Sequence, residues 1–209
     1  MTRAVALATV AALLLAGCSA GESPSGGPGA TTPAPSITAE RIADSFTALC
    51  QKALDTLNPS PVERQVIERA LTTGRLDPAD YEAAHIRYVQ CMAERGFNPP
   101  FRKTPAGLYI ELPYEPGDMT KRDEADSECS ADTVIVSSLF RVQQANPDLL
   151  SDPRLVAVRC LRREGLITLD YSVDDLDRDK AANAFPFDQY EETANNCLYE
   201  AGYAYFKIG

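Results

Sequence analysis

Three segments of the 209-residue chain repeat one local pattern: Cys91-Met92-Ala93-Glu94-Arg95-Gly96-Phe97, Cys160-Leu161-Arg162-Arg163-Glu164-Gly165-Leu166 and Cys197-Leu198-Tyr199-Glu200-Ala201-Gly202-Tyr203. Each sets a cysteine in the last turns of an expected helix, a glycine at C′ and a large apolar residue at C″. Glycine reaches the left-handed backbone that ends a helix, and the apolar residue after it packs back on the last turns. A longer period overlies this one. Cys91 and Cys160 stand 69 residues apart, and Cys129 and Cys197 stand 68 apart. The spacing suggests an internal duplication of helix–strand–helix units.

Helix starts between these stops are legible from their caps. Ser60-Pro61-Val62-Glu63 is a capping box with proline at the first helical position, and it opens a helix to about Leu71,. Asp77-Pro78 opens a second helix whose stripe is Tyr81, Ala84, His85, Tyr88, Cys91 and Met92,. Thr38 as N-cap, with an Ile37–Ile42 staple, predicts an earlier helix carrying Ile42, Phe46, Leu49, Cys50, Ala53 and Leu57,. Further helices are expected over 120–129, 132–144, 153–164 and 188–201. Period-two alternation predicts strands over 108–112, 167–171 and 203–208,. The expected fold class is therefore α+β, mainly helical, with a small antiparallel sheet and disulfide stabilisation.

Composition narrows the chemistry. With 20 Lys+Arg against 30 Asp+Glu the net charge is −10, so clustered cations for nucleic-acid binding are lacking,. One histidine argues against two-His zinc sites,. No Gly-x-Ser-x-Gly elbow, Ser-x-x-Lys, His-Glu-x-x-His, phosphate loop or Cys-x-x-Cys occurs, and no cofactor is expected,. Asp175, Asp177 and Asp179 have the opening spacing of a calcium loop, but Lys180 and Pro186 occupy the positions that need glycine and glutamate,. A solvated loop or a helix start capped by Ser172 fits better. His85 reads as a partly buried, hydrogen-bonded side chain on its helix stripe. Arg159, Arg162 and Arg163 read as a solvated face. The aromatics Tyr109, Tyr114, Tyr171, Phe185, Phe187, Tyr203, Tyr205 and Phe206 read as core or as the lining of a groove.

At the other end of the chain, Met1-Thr2-Arg3 precedes an apolar run from Ala4 to Leu14, followed by Leu15-Ala16-Gly17-Cys18. The run is too short for a stable membrane span and reads as a signal peptide. This stretch resembles the lipobox of bacterial lipoproteins. The resemblance implies cleavage after Gly17, so that residues 1–17 are lost and Cys18 becomes a lipidated N-terminus carrying palmitate-type acyl chains, enough for stable anchoring. Loss of Arg3 with the leader takes the net charge from −10 to −11. Lipid rather than charge would then hold the protein at the membrane. Residues 18–35 read as a flexible tether with an r.m.s. reach of about 20–25 Å, and residues 36–209 as one extracytoplasmic globular domain.

The segment Tyr88-Val89-Gln90-Cys91-Met92 through Gly96, with a helical cysteine about forty residues later, is similar to the two-cysteine module of small actinobacterial lipoproteins. That resemblance implies a Cys91–Cys129 disulfide and, through the repeat, Cys160–Cys197, with Cys50 free or intermolecular. The residues alone also allow Cys50–Cys91 with Cys129–Cys160, leaving Cys197 over. The functional expectation is a lipid-anchored protein on the outer face of the cell membrane. It would be a non-enzymatic binding or interaction module for an envelope ligand or protein, with no nucleic acid involved. The alternative expectation is an envelope hydrolase that uses a carboxylate pair on a wall polymer.

Overall fold

A computed structural model describes residues 39–203. The leader, Cys18, the tether, the Ile37–Thr38 staple and cap, and all but Tyr203 of the last expected strand lie outside the described residues. Within them the chain is mainly helical: α1 (Phe46–Thr56), α2 (Pro61–Thr73), α3 (Pro78–Glu94), β1 (Phe101–Lys103), β2 (Tyr109–Glu111), α4 (Met119–Ser130), α5 (Val134–Ala145), α6 (Pro153–Arg163), α7 (Val173–Ala182) and α8 (Glu192–Glu200). β1 and β2 form an antiparallel pair with Arg102 opposite Ile110.

Local chemistry sets most of these ends. The Ser60 hydroxyl accepts the Glu63 N–H while the Glu63 carboxylate accepts the Ser60 N–H, which closes the capping box of α2. Asp77 and Asp152 cap α3 and α6, each followed by proline, and Ser172 with Asp175 forms a second capping box at α7. The three helices of the repeated segments, α3, α6 and α8, stop alike. Gly96, Gly165 and Gly202 take φ of 85°, 71° and 96°, and the N–H groups of Phe97, Leu166 and Tyr203 donate to Met92, Leu161 and Leu198 carbonyls at 2.9, 2.9 and 2.7 Å. These are complete Schellman stops. Met92, Leu161 and Leu198, each next to a cysteine, are 1% exposed or less.

Cys91 is bonded to Cys129 and Cys160 to Cys197, with Cα–Cα separations of 5.5 and 5.4 Å. Cys50 is free and fully buried in α1, where burial pushes its thiol up to about 11. The rival pairing through Cys50 is therefore not the one present.

The duplication extends to the helix, the glycine stop and the disulfide partner on a later helix, but the connections differ. The first disulfide loop holds the β1–β2 hairpin, and the second holds α7. Residues 167–171 form a turn rather than a strand, with Leu169 outermost and Tyr171 buried. No strand of the described residues lies beside them, and the Arg162 guanidinium takes the Tyr171 carbonyl at 2.6 Å. β1, in turn, is a strand that sequence alternation did not mark. The first helix starts at Ser45, whose hydroxyl accepts the Ala48 N–H, rather than at Thr38. Residues 40–42 are extended instead, with Ile42 N–H on the Leu149 carbonyl and Ser151 N–H on the Glu40 carbonyl, both 2.8 Å. That antiparallel pairing satisfies the backbone groups that the expected helix would have used.

One core lies among α1, α2, α3 and α5, around Ile67, Val136, Leu139 and Phe140. A second lies among α6, α7 and α8 around Leu161, Leu176 and Leu198, and a small third surrounds the first disulfide with Met92 and Ala125. Between α2 and α5 sits the Glu63 carboxylate, 0% exposed. Beyond its capping box, its other oxygen accepts the Ile135 N–H at 2.8 Å and the Val136 N–H at 3.4 Å. α5 has no side-chain cap of its own at Thr133, so Glu63 supplies one from another helix.

A buried carboxylate at a helix N-terminus is favoured by the helix dipole and by the free N–H groups it satisfies. Glu63→Gln keeps the shape but turns part of the acceptor into a donor facing donors. It should lower the folding free energy by about 2 kcal/mol, read as a lower urea midpoint with unchanged m value. Replacing both members of either disulfide by alanine opens a loop of 38 or 37 residues. Chain entropy assigns each about 4 kcal/mol, measurable in the same titration.

Candidate functional site

A cleft of about 300 Å³ opens between α3, the hairpin, α5 and α8. Helical spacing explains its two walls. On α3, Tyr81, His85 and Tyr88 recur at i, i+4 and i+7, the stripe visible in sequence. On α5, Val134, Ser137, Ser138 and Arg141 recur at i, i+3, i+4 and i+7, while Val136, Leu139 and Phe140 turn to the core. One wall is aromatic, joined by Phe101, Tyr109 and Tyr199, and the other carries hydroxyls and a guanidinium.

The aromatic wall is fixed by stacking and hydrogen bonds. His85 stacks on Tyr109 with centroids 3.6 Å apart and meets Phe101 edge-on at 4.6 Å. Tyr81 stacks on Phe140 at 4.3 Å, and its hydroxyl oxygen accepts the Tyr109 N–H at 2.9 Å. The Tyr109 hydroxyl donates to Glu82 at 2.6 Å, and Lys103, ion-paired to the same Glu82, lies over the Tyr109 ring at 5.1 Å. From α8, the Tyr199 hydroxyl donates to the Tyr109 carbonyl at 2.8 Å. Behind the wall, Tyr88 donates to Asp126 at 2.5 Å, and Arg122 grips both Glu111 oxygens at 2.8 Å.

Burial sets the protonation of the lining. It pushes Tyr81 up to about 12 and raises Tyr88 and Tyr199 as well, so all three phenols keep their protons at neutral pH. The Arg141 charge opposes the rise at Tyr81 and Tyr199, which line the same cleft. Burial lowers His85 to about 4, so its imidazole is neutral. Arg141 itself has no hydrogen-bond or ion-pair partner among the described residues. No Asp or Glu is among the described residues that line the cleft, and Glu111 and Asp126 both face Arg122 instead.

Other residues singled out in the sequence fall elsewhere. The four bonded cysteines brace helices and do not line the cleft. Asp175, Asp177 and Asp179 lie on α7, each with its own partner: Ser172 and Arg178, Arg154, and Tyr171 and Arg178. Among the described residues no cluster of His, Cys, Asp or Glu is placed to hold a metal ion. Arg159, Arg162 and Arg163 disperse to Asp148, the Tyr171 carbonyl and Glu164. Of the aromatics read as a possible groove, Tyr109 lines the cleft. Tyr171, Phe185, Phe187 and Tyr203 belong to the second core, and Tyr205 and Phe206 lie outside the described residues. His85 is held by stacking rather than by a hydrogen bond. Sequence reasoning missed Ser137, Ser138 and Arg141, whose signal was a second, polar period in the otherwise apolar run 134–142.

Fold and cleft together define a disulfide-braced helical protein with an amphipathic, ligand-sized cleft. No known protein family, no curated protein and no solved structure matches the chain.

The depressed His85 pKa carries a pH signature. Between about pH 6.5 and 4 the unfolded chain takes up a proton that the folded chain refuses, so this contribution to stability is full above pH 6.5 and declines as pH falls toward 4,. His85→Phe keeps a ring in the stack and cannot titrate. Its melting temperature relative to wild type should therefore rise as the pH is lowered from 7 to 4, in thermal scans across that range.

Proposed function

We propose that the protein is a lipid-anchored binding protein of a bacterial cell envelope, held by acylated Cys18 at the outer face of the cytoplasmic membrane and working without catalytic turnover. The observation that carries the binding reading is the cleft: an aromatic wall facing hydroxyls and a guanidinium that no side chain of the described residues neutralises. Pockets of this kind, mostly apolar with a few convergent polar groups, suit small-molecule recognition. Two disulfides accord with an oxidising compartment,. The lipobox residues Leu15 to Cys18 and the uncharged character of most of the tether support the anchor.

No helix of the described residues is long and apolar enough to cross a membrane. The alternative reading, hydrolysis of a wall polymer by paired carboxylates, draws no support from a cleft whose residues are aromatic, aliphatic, hydroxylic and cationic.

The anchor is tested by fractionation. Wild-type protein should label with an alkynyl palmitate analogue and sediment with membranes. Cys18→Ser should lose the label and its membrane retention while keeping the wild-type melting temperature. Unlabelled wild type, or a Cys18→Ser protein still held at the membrane through a label, overturns the reading.

A further inference from the structure

The chemistry of the cleft specifies more than binding in general. Arg141 is the one cationic side chain among the described residues that line it, and His85 on the facing wall is neutral. The protein has 30 carboxylate side chains against 20 Lys and Arg. Most guanidiniums near a carboxylate in this structure are paired: Arg69, Arg95, Arg102, Arg122 and Arg154 all hold one. Arg141 is left over in a concave site without one among the described residues. A guanidinium is a planar fork whose favoured partner is a carboxylate or a phosphate bound through two parallel hydrogen bonds. Ser137 and Ser138, one turn earlier on the same face of α5, add hydroxyl donors to that anion position.

Charge and size narrow the choice. A single positive charge balances a single negative one, and the net charge of −10 opposes entry of a polyanion,. A volume near 300 Å³ stands at the small end of ligand pockets,. The rest of the lining is rings, which suit a flat apolar body with edge or face contacts.

We infer that the cleft between α3, the hairpin, α5 and α8 binds a small monoanion built on a planar ring, an aromatic carboxylate, with its carboxylate on Arg141 and its ring against the Tyr81–His85–Tyr109 wall. This rests on the binding reading above and adds the ligand class to it. Arg141 sets the charge requirement, the hydroxyls of α5 set the orientation, and the aromatic wall sets the shape.

The test is calorimetric titration of the protein isolated from membranes in detergent, with a detergent blank. The ring carboxylates are benzoate, 4-hydroxybenzoate and nicotinate, set against 4-hydroxybenzamide, acetate and inorganic phosphate. At least one ring carboxylate should bind roughly tenfold or more tightly than the neutral amide, because a charge-assisted pair is lost with the charge. Acetate and phosphate should bind more weakly than that ring carboxylate. Arg141→Gln should remove the preference for the carboxylate over the amide, and Arg141→Lys should keep part of it. Neither variant should change the melting temperature greatly, since Arg141 bonds no described residue.

Equal binding of acid and amide, or an unaltered preference in Arg141→Gln, overturns the monoanion inference and leaves the binding reading standing. Phosphate binding as tightly as the ring acids replaces the ligand class with a plain anion. Absence of binding by every ring compound, charged or neutral, overturns both the inference and the cleft's role as a binding site.

Discussion

The Glu63 carboxylate ends two helices at once. One oxygen closes the capping box of α2, and the other takes the first free N–H groups of α5, a helix that begins 71 residues later in the chain. Because the group is fully buried, both sets of bonds form in low dielectric, where an unmet donor or a lone carboxylate would cost several kcal/mol. That mutual dependence fixes the rotation of α5 against α2. Rotation decides which of its faces meets the core and which faces the cleft, so the Glu63 bonds act together with the core packing of Val136, Leu139 and Phe140 in placing Arg141, Ser137 and Ser138.

A second constraint acts on the helix ends. Each of the three repeated segments joins a disulfide cysteine, a fully buried Met or Leu beside it, and a left-handed glycine that turns the chain away. The arrangement concentrates covalent, apolar and backbone constraints within two turns. It gives the second half, with its modest core among α6, α7 and α8, a stable frame. The two halves share these braces while their connections diverge into a hairpin and a helix. Of these two connections, only the hairpin adds aromatic residues, Phe101 and Tyr109, to the cleft. The halves meet there, through the Tyr199 hydroxyl on the Tyr109 carbonyl and the Arg102–Glu192 ion pair.

Much of the fold was legible because its signals are local. Caps at Ser60, Asp77, Asp152 and Ser172, prolines at first helical positions and glycines at C′ act within one turn of backbone, and the helices begin and end where those residues place them. The aromatic half of the cleft was visible too, as the Tyr81, His85 and Tyr88 stripe, though a stripe does not say whether it faces a core or a cavity. The start of α1 was misplaced for the opposite reason. Thr38 and Ile42 look like a cap and staple, but the backbone from 40 to 42 finds better partners at 149–151, more than a hundred residues away.

The sequence by itself determined the helical class of the chain, the ends of most helices and the repeated cysteine–glycine stops, since each depends on interactions spanning a few residues. Tertiary structure alone decided that 101–103 pairs as a strand while 167–171 does not, because a strand exists only where a neighbour offers its hydrogen bonds. It also decided that Glu63 serves a second helix, and that the polar period of α5 faces the aromatic stripe of α3. Those outcomes come from groups distant in sequence, whose meeting is set by the packing of whole helices.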